Sequence, residues 1–166
     1  MPYRGLLYAG LMLTDDGPRV VEFNCRFGDP ECQPILMAMD SDLLPLLAAV
    51  AAGRLREERR PVFHTGATLC VVLVSDGYPG SYPKGLEIRG ADTQMEDVFV
   101  FHAGTRRDEE GTLRTAGGRV LGVTARGATV SEARDRAYGV ADQIHWEGVG
   151  CRRDIAFRAL TAKGAE

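Results

Sequence analysis

From Val21 to Glu31 the chain reads Val-Glu-Phe-Asn-Cys-Arg-Phe-Gly-Asp-Pro-Glu, and no other stretch restricts the fold as strongly. If Arg19 to Asn24 is a β-strand, side chains alternate, so Glu22 and Asn24 share one face while Val21 and Phe23 take the other. Gly28-Asp29-Pro30 then supplies turn chemistry that lets backbone approach a ligand. Hard cations such as Mg²⁺ take oxygen ligands and are usually held by one or two protein groups together with substrate phosphates. Glu22 and Asn24 are therefore candidate metal ligands, although an E-x-N pair equally fits a strand end that faces water. Arg26 is a planar, permanently charged donor suited to carboxylate or phosphate; a structural pair with Asp29 or Glu31 is the alternative.

Such a strand needs a neighbour, and the preceding residues provide one. Gly5 to Thr14 is apolar and partly aromatic, Asp15-Asp16-Gly17-Pro18 is a turn, and Arg19 to Asn24 returns as the second strand of a hairpin. Two strands alone are marginal, so this hairpin is expected to edge something larger. Beyond the loop, Cys32 to Met39 has near-helical apolar spacing, and Ser41-Asp42 caps a second helix that Gly53 ends. The apolar segment Leu43 to Ala52 contains Pro45, is too short to span a bilayer, and reads as a buried helix. Arg54 to Arg60 is a charged break with acidic residues interspersed, which favours a solvated helix end or linker.

A second unit begins near Pro61. Thr65 to Ser75 has a buried-strand pattern, followed by a turn-rich loop from Asp76 to Gly85 that carries Lys84. Leu86 to Ile88, Val98 to His102, a polar hairpin-like stretch through Gly111, and Arg119 to Ala125 supply further strands. Thr129-Val130-Ser131-Glu132 fits a capping box that opens an amphipathic helix through Ile144, on which Tyr138 and Trp146 have spacing suited to packing. The expected class is α+β: a hairpin plus helices over 1–60, then a small α+β domain over 61–166 with a mostly antiparallel sheet.

At 166 residues, 45% hydrophobic and 26% charged, the chain suffices for one domain or two small lobes. A net charge of −3 argues against a nucleic-acid binder driven by bulk electrostatics. The four cysteines are dispersed without a C-x-x-C pair, which suggests neither a zinc site nor a disulfide scaffold and fits reduced thiols in the cytosol. No secretory signal pattern is present. His64, His102 and His145 form no metal-ligand pattern and read as structural, with His102 packed in its strand. Cys25 lies beside Arg26 but has no base in view. The Lys84-Gly85 and Gly117-Gly118-Arg119 loops can present amides and cations to a phosphate, or can simply be turns. There is no P-loop.

Glu22-Phe23-Asn24-Cys25-Arg26-Phe27-Gly28-Asp29-Pro30-Glu31-Cys32-Gln33 resembles the E-F-N-x-R-F-G-D-P-E-x-Q segment of the phosphoribosylamine–glycine ligase family, within the ATP-grasp superfamily. The shorter E-x-N-x-R pattern is shared across ATP-grasp ligases and carboxylases. Four further blocks are similar to those of the same family's C-terminal domain, in the same order. They are Tyr78-Pro79-Gly80-Ser81-Tyr82-Pro83-Lys84-Gly85; Val98-Phe99 with His102-Ala103-Gly104-Thr105; Thr115-Ala116-Gly117-Gly118-Arg119-Val120-Leu121; and Arg152-Arg153-Asp154-Ile155. The resemblance implies the end of an ATP-grasp domain over 1–60 and a C-terminal ligase domain over 61–166, with the family's N-terminal domains ahead of Tyr3.

It further implies ATP-dependent ligation of glycine to 5-phosphoribosylamine in purine biosynthesis, in the cytoplasm. Glu22 and Asn24 would ligate Mg²⁺ or Mn²⁺, Arg26 would serve catalysis, and Arg26, Gly28 and Asp29 would face substrate. Lys84, Gly117, Gly118 and Arg119 would contact the substrate phosphate. The implied partners are glycine, 5-phosphoribosylamine, ATP and the missing N-terminal domains, with no nucleic acid or membrane. Bare apolar faces invite self-association, and the chain alone is expected to be inactive for want of a nucleotide-clamping lobe. Another ATP-grasp ligase or carboxylase, or a non-catalytic binding module, are the competing readings.

Overall fold

Seven strands and four helices make up the described part of the chain, residues 2–161 of a computed structural model. The hairpin forms as expected, β1 (Tyr8–Thr14) running antiparallel to β2 (Gly17–Asn24). The register slips between Gly10 and Leu11, which leaves Val21 without a partner as a bulge. No layer covers this ribbon among the described residues: Leu13 is 82% exposed, Val21 67% and Phe23 59%.

Helix α1 (Cys32–Ala38) follows the Gly-Asp-Pro loop directly. Helix α2 (Leu43–Ala52) is bounded as its sequence requires, the Asp42 carboxylate accepting from the Leu44 N–H at 2.9 Å. At its other end Gly53 adopts φ 70°, where a side chain would be strained. The expectation that α2 is buried is corrected, since only Ala49 is buried while Leu44 and Leu47 are exposed. An all-apolar helix has no single preferred inner face, and α2 packs chiefly on the 3-10 turn Leu55–Glu57.

The second unit is built on an antiparallel sheet in the order β3–β7–β4, with β3 Ala67–Val74, β4 Val98–His102 and β7 Arg119–Gly127. A side hairpin joins β5 (Thr105–Arg107) to β6 (Leu113–Thr115). On one sheet face Leu69, Val71, Leu73, Leu121, Val123 and Ala125 are buried with residues of α3 (Val130–Ala141). Alternation sends Thr68, Cys70, Gly122 and Thr124 to the other face. There α1 lies across β3 and β7, with the Thr68 hydroxyl donating to the Pro34 carbonyl at 3.0 Å. The short α4 (Phe157–Thr161) touches α3. No described helix is long and apolar enough to cross a membrane.

Three local expectations are corrected. Helix α3 stops at Ala141, because the chain then leaves to pair with Arg89, the His145 N–H meeting the Arg89 carbonyl at 3.0 Å. Trp146 is therefore buried beyond the helix rather than on it. The capping box is offset: Thr129 caps the Glu132 N–H, but the Glu132 carboxylate takes the N–H of Ala128 at 2.7 Å. His102 is exposed instead of packed, its Nδ1 meeting the Thr105 hydroxyl at 3.1 Å at the strand end.

Burial thus locates the stability in the sheet and α3. Leu121→Ala is expected to destabilise the chain by about 2–5 kcal/mol through cavity formation. Leu13→Ala on the bare ribbon should change it by less than about 0.5 kcal/mol. Urea unfolding followed by far-UV circular dichroism compares the two.

Candidate functional site

The period-two face anticipated for β2 is present. The Asn24 carboxamide donates to Glu22 Oε1 at 2.9 Å, so the two side chains lie together. Gly10 sits opposite Glu22 on β1, so no side chain projects directly across from it, and Tyr8 sits opposite Asn24 with its ring beside Gly10. The second Glu22 oxygen and the Asn24 carbonyl oxygen remain as acceptors. One carboxylate and one amide oxygen suit a hard cation that also binds phosphates, and in this respect the residues fit the metal that the sequence resemblance implies. No cluster of three or more His, Cys, Asp or Glu able to hold a metal by itself occurs among the described residues.

The loop after β2 folds back on itself. The Cys32 N–H bonds the Gly28 carbonyl at 3.1 Å, and Glu31 lies against Gly28 so closely that a Cβ there would overlap its carboxylate. Glu31 also faces Tyr8. Its negative charge, followed by desolvation and by Glu22, pushes the Tyr8 phenol above its ordinary value. Arg26 makes neither of the pairings open to it in sequence; it is exposed, and its Nη1 donates to the Phe27 carbonyl at 2.8 Å.

Asp29 instead meets Arg119, which is 90 positions away in the chain, with Nη2 to Oδ2 at 3.2 Å and Nη1 to the Asp29 carbonyl at 3.3 Å. The backbone around Arg119 is fixed from several sides. The Ser75 N–H bonds the Gly118 carbonyl at 2.9 Å, its hydroxyl bonds the Gly117 carbonyl at 3.0 Å, and the Gly104 N–H bonds the Arg119 carbonyl at 2.9 Å. Gly118 lies under the rings of Tyr78 and Tyr82, where any Cβ would overlap them. Lys84 Nζ lies 5.7 Å from the centre of the Tyr82 ring.

Asp29, Gly117, Gly118 and Arg119 therefore form one continuous wall, with Lys84 one ring away. Glu22, Asn24 and Arg26 occupy the strand end that leads into it. Sequence reasoning passed over Tyr8, Ser75, Gly104, Tyr78 and Tyr82 as site-forming residues. The last two were visible as the aromatics of a turn-rich loop, whereas Ser75 and Gly104 acquire their parts only through long-range hydrogen bonds.

The Tyr8 environment is directly measurable. A raised phenol pKa means that the folded state holds the proton more tightly, so the neutral phenol stabilises the fold below about pH 10 and that contribution fades as pH rises further. Glu31→Gln should move the Tyr8 ionisation down toward the ordinary value, read as the absorbance titration lost in Tyr8→Phe. An unchanged titration would place Glu31 away from Tyr8.

Comparison with known proteins identifies a family. A family described as "Phosphoribosylglycinamide synthetase, C domain" matches residues 68–158, and its ATP-grasp (A) domain counterpart matches residues 1–32. The phosphoribosylamine–glycine ligase of Phenylobacterium zucineum is 54% identical over 160 residues, covering 96% of this chain and 38% of that protein. That of Caulobacter vibrioides is 53% identical over the same share of each. The crystal structure of the Thermotoga maritima phosphoribosylamine–glycine ligase superposes with a TM-score of 0.75 at 38% identity, over 89% of this chain and 36% of that one. The biotin carboxylase domain of a Hydrogenobacter thermophilus 2-oxoglutarate carboxylase, at 19% identity and a TM-score of 0.62, shares the fold. The chain spans about 38% of the length of the curated relatives it matches.

Proposed function

Because the chain belongs to the phosphoribosylglycinamide synthetase family, we propose that it is the C-terminal portion of a cytoplasmic ligase that joins glycine to 5-phosphoribosylamine. ATP is consumed, and glycinamide ribonucleotide, ADP and phosphate are produced. Residues 1–60 are the end of the ATP-grasp domain and residues 61–166 the C-terminal domain. The observation that carries this reading is the Asp29–Arg119 contact, which joins the family's strand-end motif to its Gly-Gly-Arg block.

In this scheme the γ-phosphoryl group passes to the glycine carboxylate, the ribosylamine nitrogen attacks the resulting acyl carbon, and phosphate leaves with the bonding electrons while the nitrogen sheds a proton to solvent. Glu22 and Asn24 would hold Mg²⁺ or Mn²⁺, which would supply charge neutralisation for the ATP phosphates. Arg26, anchored through one guanidinium nitrogen to the Phe27 carbonyl, keeps its other donors for the reacting carboxylate or phosphoryl oxygens. Asp29 holds Arg119 at the loop, and Gly28, buried under the Glu31 carboxylate, shapes the loop instead of meeting substrate directly. Lys84, Arg119 and the Gly117-Gly118 backbone surround the substrate phosphate. What these residues contribute is mainly orientation and charge complementarity. The bare β1–β2 ribbon and α2 are the faces that the rest of the polypeptide covers, and through which an isolated copy self-associates.

Glu22→Gln in a full-length ligase carrying this sequence should lower kcat/KM by about 100-fold or more at low Mg²⁺, with partial recovery as Mg²⁺ is raised. A near-normal rate at low Mg²⁺ would remove Glu22 from the metal site.

A further inference from the structure

A second polar cleft lies beside the β5–β6 hairpin and shares no residue with the wall around Asp29 and Arg119. It encloses about 440 Å³, within the range of small-molecule sites. Its floor is apolar, formed by Ile88, which is buried, and Leu113. Arg89, Arg107, His102 and Asp92 line its sides.

The charges around it are unevenly matched. Arg114, on the same hairpin, pairs with Asp108, and Arg89 pairs with Glu87 through Nε at 2.9 Å. Arg107 has no carboxylate partner among the described residues. Its Nη1 instead donates to the Gly111 carbonyl at 2.7 Å, which braces the side chain across the hairpin turn and leaves the rest of the guanidinium unmatched. His102 is tied through Nδ1 to the Thr105 hydroxyl, so Nε2 remains. On the opposite rim the N–H groups of Gly90, Ala91 and Asp92 have no main-chain acceptor among the described residues.

A braced guanidinium, a second arginine, an imidazole and a turn with unpaired amides together offer more donors than a two-oxygen carboxylate can use. They suit a tetrahedral dianion. The apolar floor suits an organic body attached to it, and the Asp92 carboxylate accepts from a hydroxyl or amine. We propose that this cleft binds a small phosphate monoester, at a site separate from the one assigned to the ligase substrate.

The test is a ¹H–¹⁵N NMR titration of the 166-residue chain with glycerol 3-phosphate, inorganic phosphate and, at matched ionic strength, chloride. Saturable shifts at Gly90 to Asp92 and His102 with glycerol 3-phosphate are expected, with inorganic phosphate weaker and chloride without effect. Arg107→Met should weaken binding about tenfold, the loss of one charge-assisted contact. Arg106→Met, its neighbour on the hairpin, should retain the affinity. His102→Gln provides a second lesion that leaves the Arg107 brace in place, and it should also weaken binding. Shifts confined to Lys84 and Gly117 to Arg119, equal response to chloride, equal loss in the Arg106 and Arg107 variants, or absence of saturation would each overturn the proposal. Equal affinity for inorganic phosphate and glycerol 3-phosphate would overturn the assignment of an organic ester.

Discussion

Helix α1 lies across β3 and β7, and that contact decides where the Gly28-Asp29-Pro30 loop can be. The helix begins at Cys32, immediately after the loop, so docking its half-buried side chains on the sheet fixes the loop as well. Polar contacts reinforce the placement at its far end. The His64 N–H meets the Ala38 carbonyl at 2.9 Å, and Arg126 pairs with Asp40 at 3.0 Å. Surface ion pairs of this kind are worth at most about 1 kcal/mol, so packing holds the helix and the charges set its register. Asp29 is thereby delivered to Arg119, and the two halves of the chain meet at that contact.

The same geometry explains an asymmetry in the molecule. The sheet with α3 encloses a continuous apolar core, whereas the β1–β2 ribbon has no second layer among the described residues. A two-stranded ribbon is marginal in water, and here it bears Glu22 and Asn24, whose paired orientation depends on the strand holding its shape. The ribbon is steadied where the chain returns to the sheet, through the folded-back Glu31 and α1.

Much of this is legible in the sequence. Alternation placed Glu22 with Asn24, the Asp-Asp-Gly-Pro turn located the hairpin, Asp42 and Gly53 bounded α2, and Thr129 started α3. Each is a local rule with a local physical cause. What local rules could not supply was the partner of Asp29, because carboxylates at 29 and 31 both lay within reach of Arg26 in sequence, and only tertiary packing brings in Arg119. The misjudged burial of α2 has a related origin. An apolar run reports that a surface is meant to be covered, not that the covering lies within the residues at hand.

The central claim is that the loop after β2 and the Gly-Gly-Arg turn act as one unit, and a double-mutant cycle tests it most directly. Asp29→Asn, Arg119→Met and the double variant would be compared by kcat/KM for the ribosylamine substrate in a full-length ligase carrying this sequence. Contacting residues couple by about 0.5–3 kcal/mol, so the double variant should lose measurably less than the product of the single losses. Strictly additive effects, within about 0.3 kcal/mol, would show that the two halves contribute independently and would contradict the account.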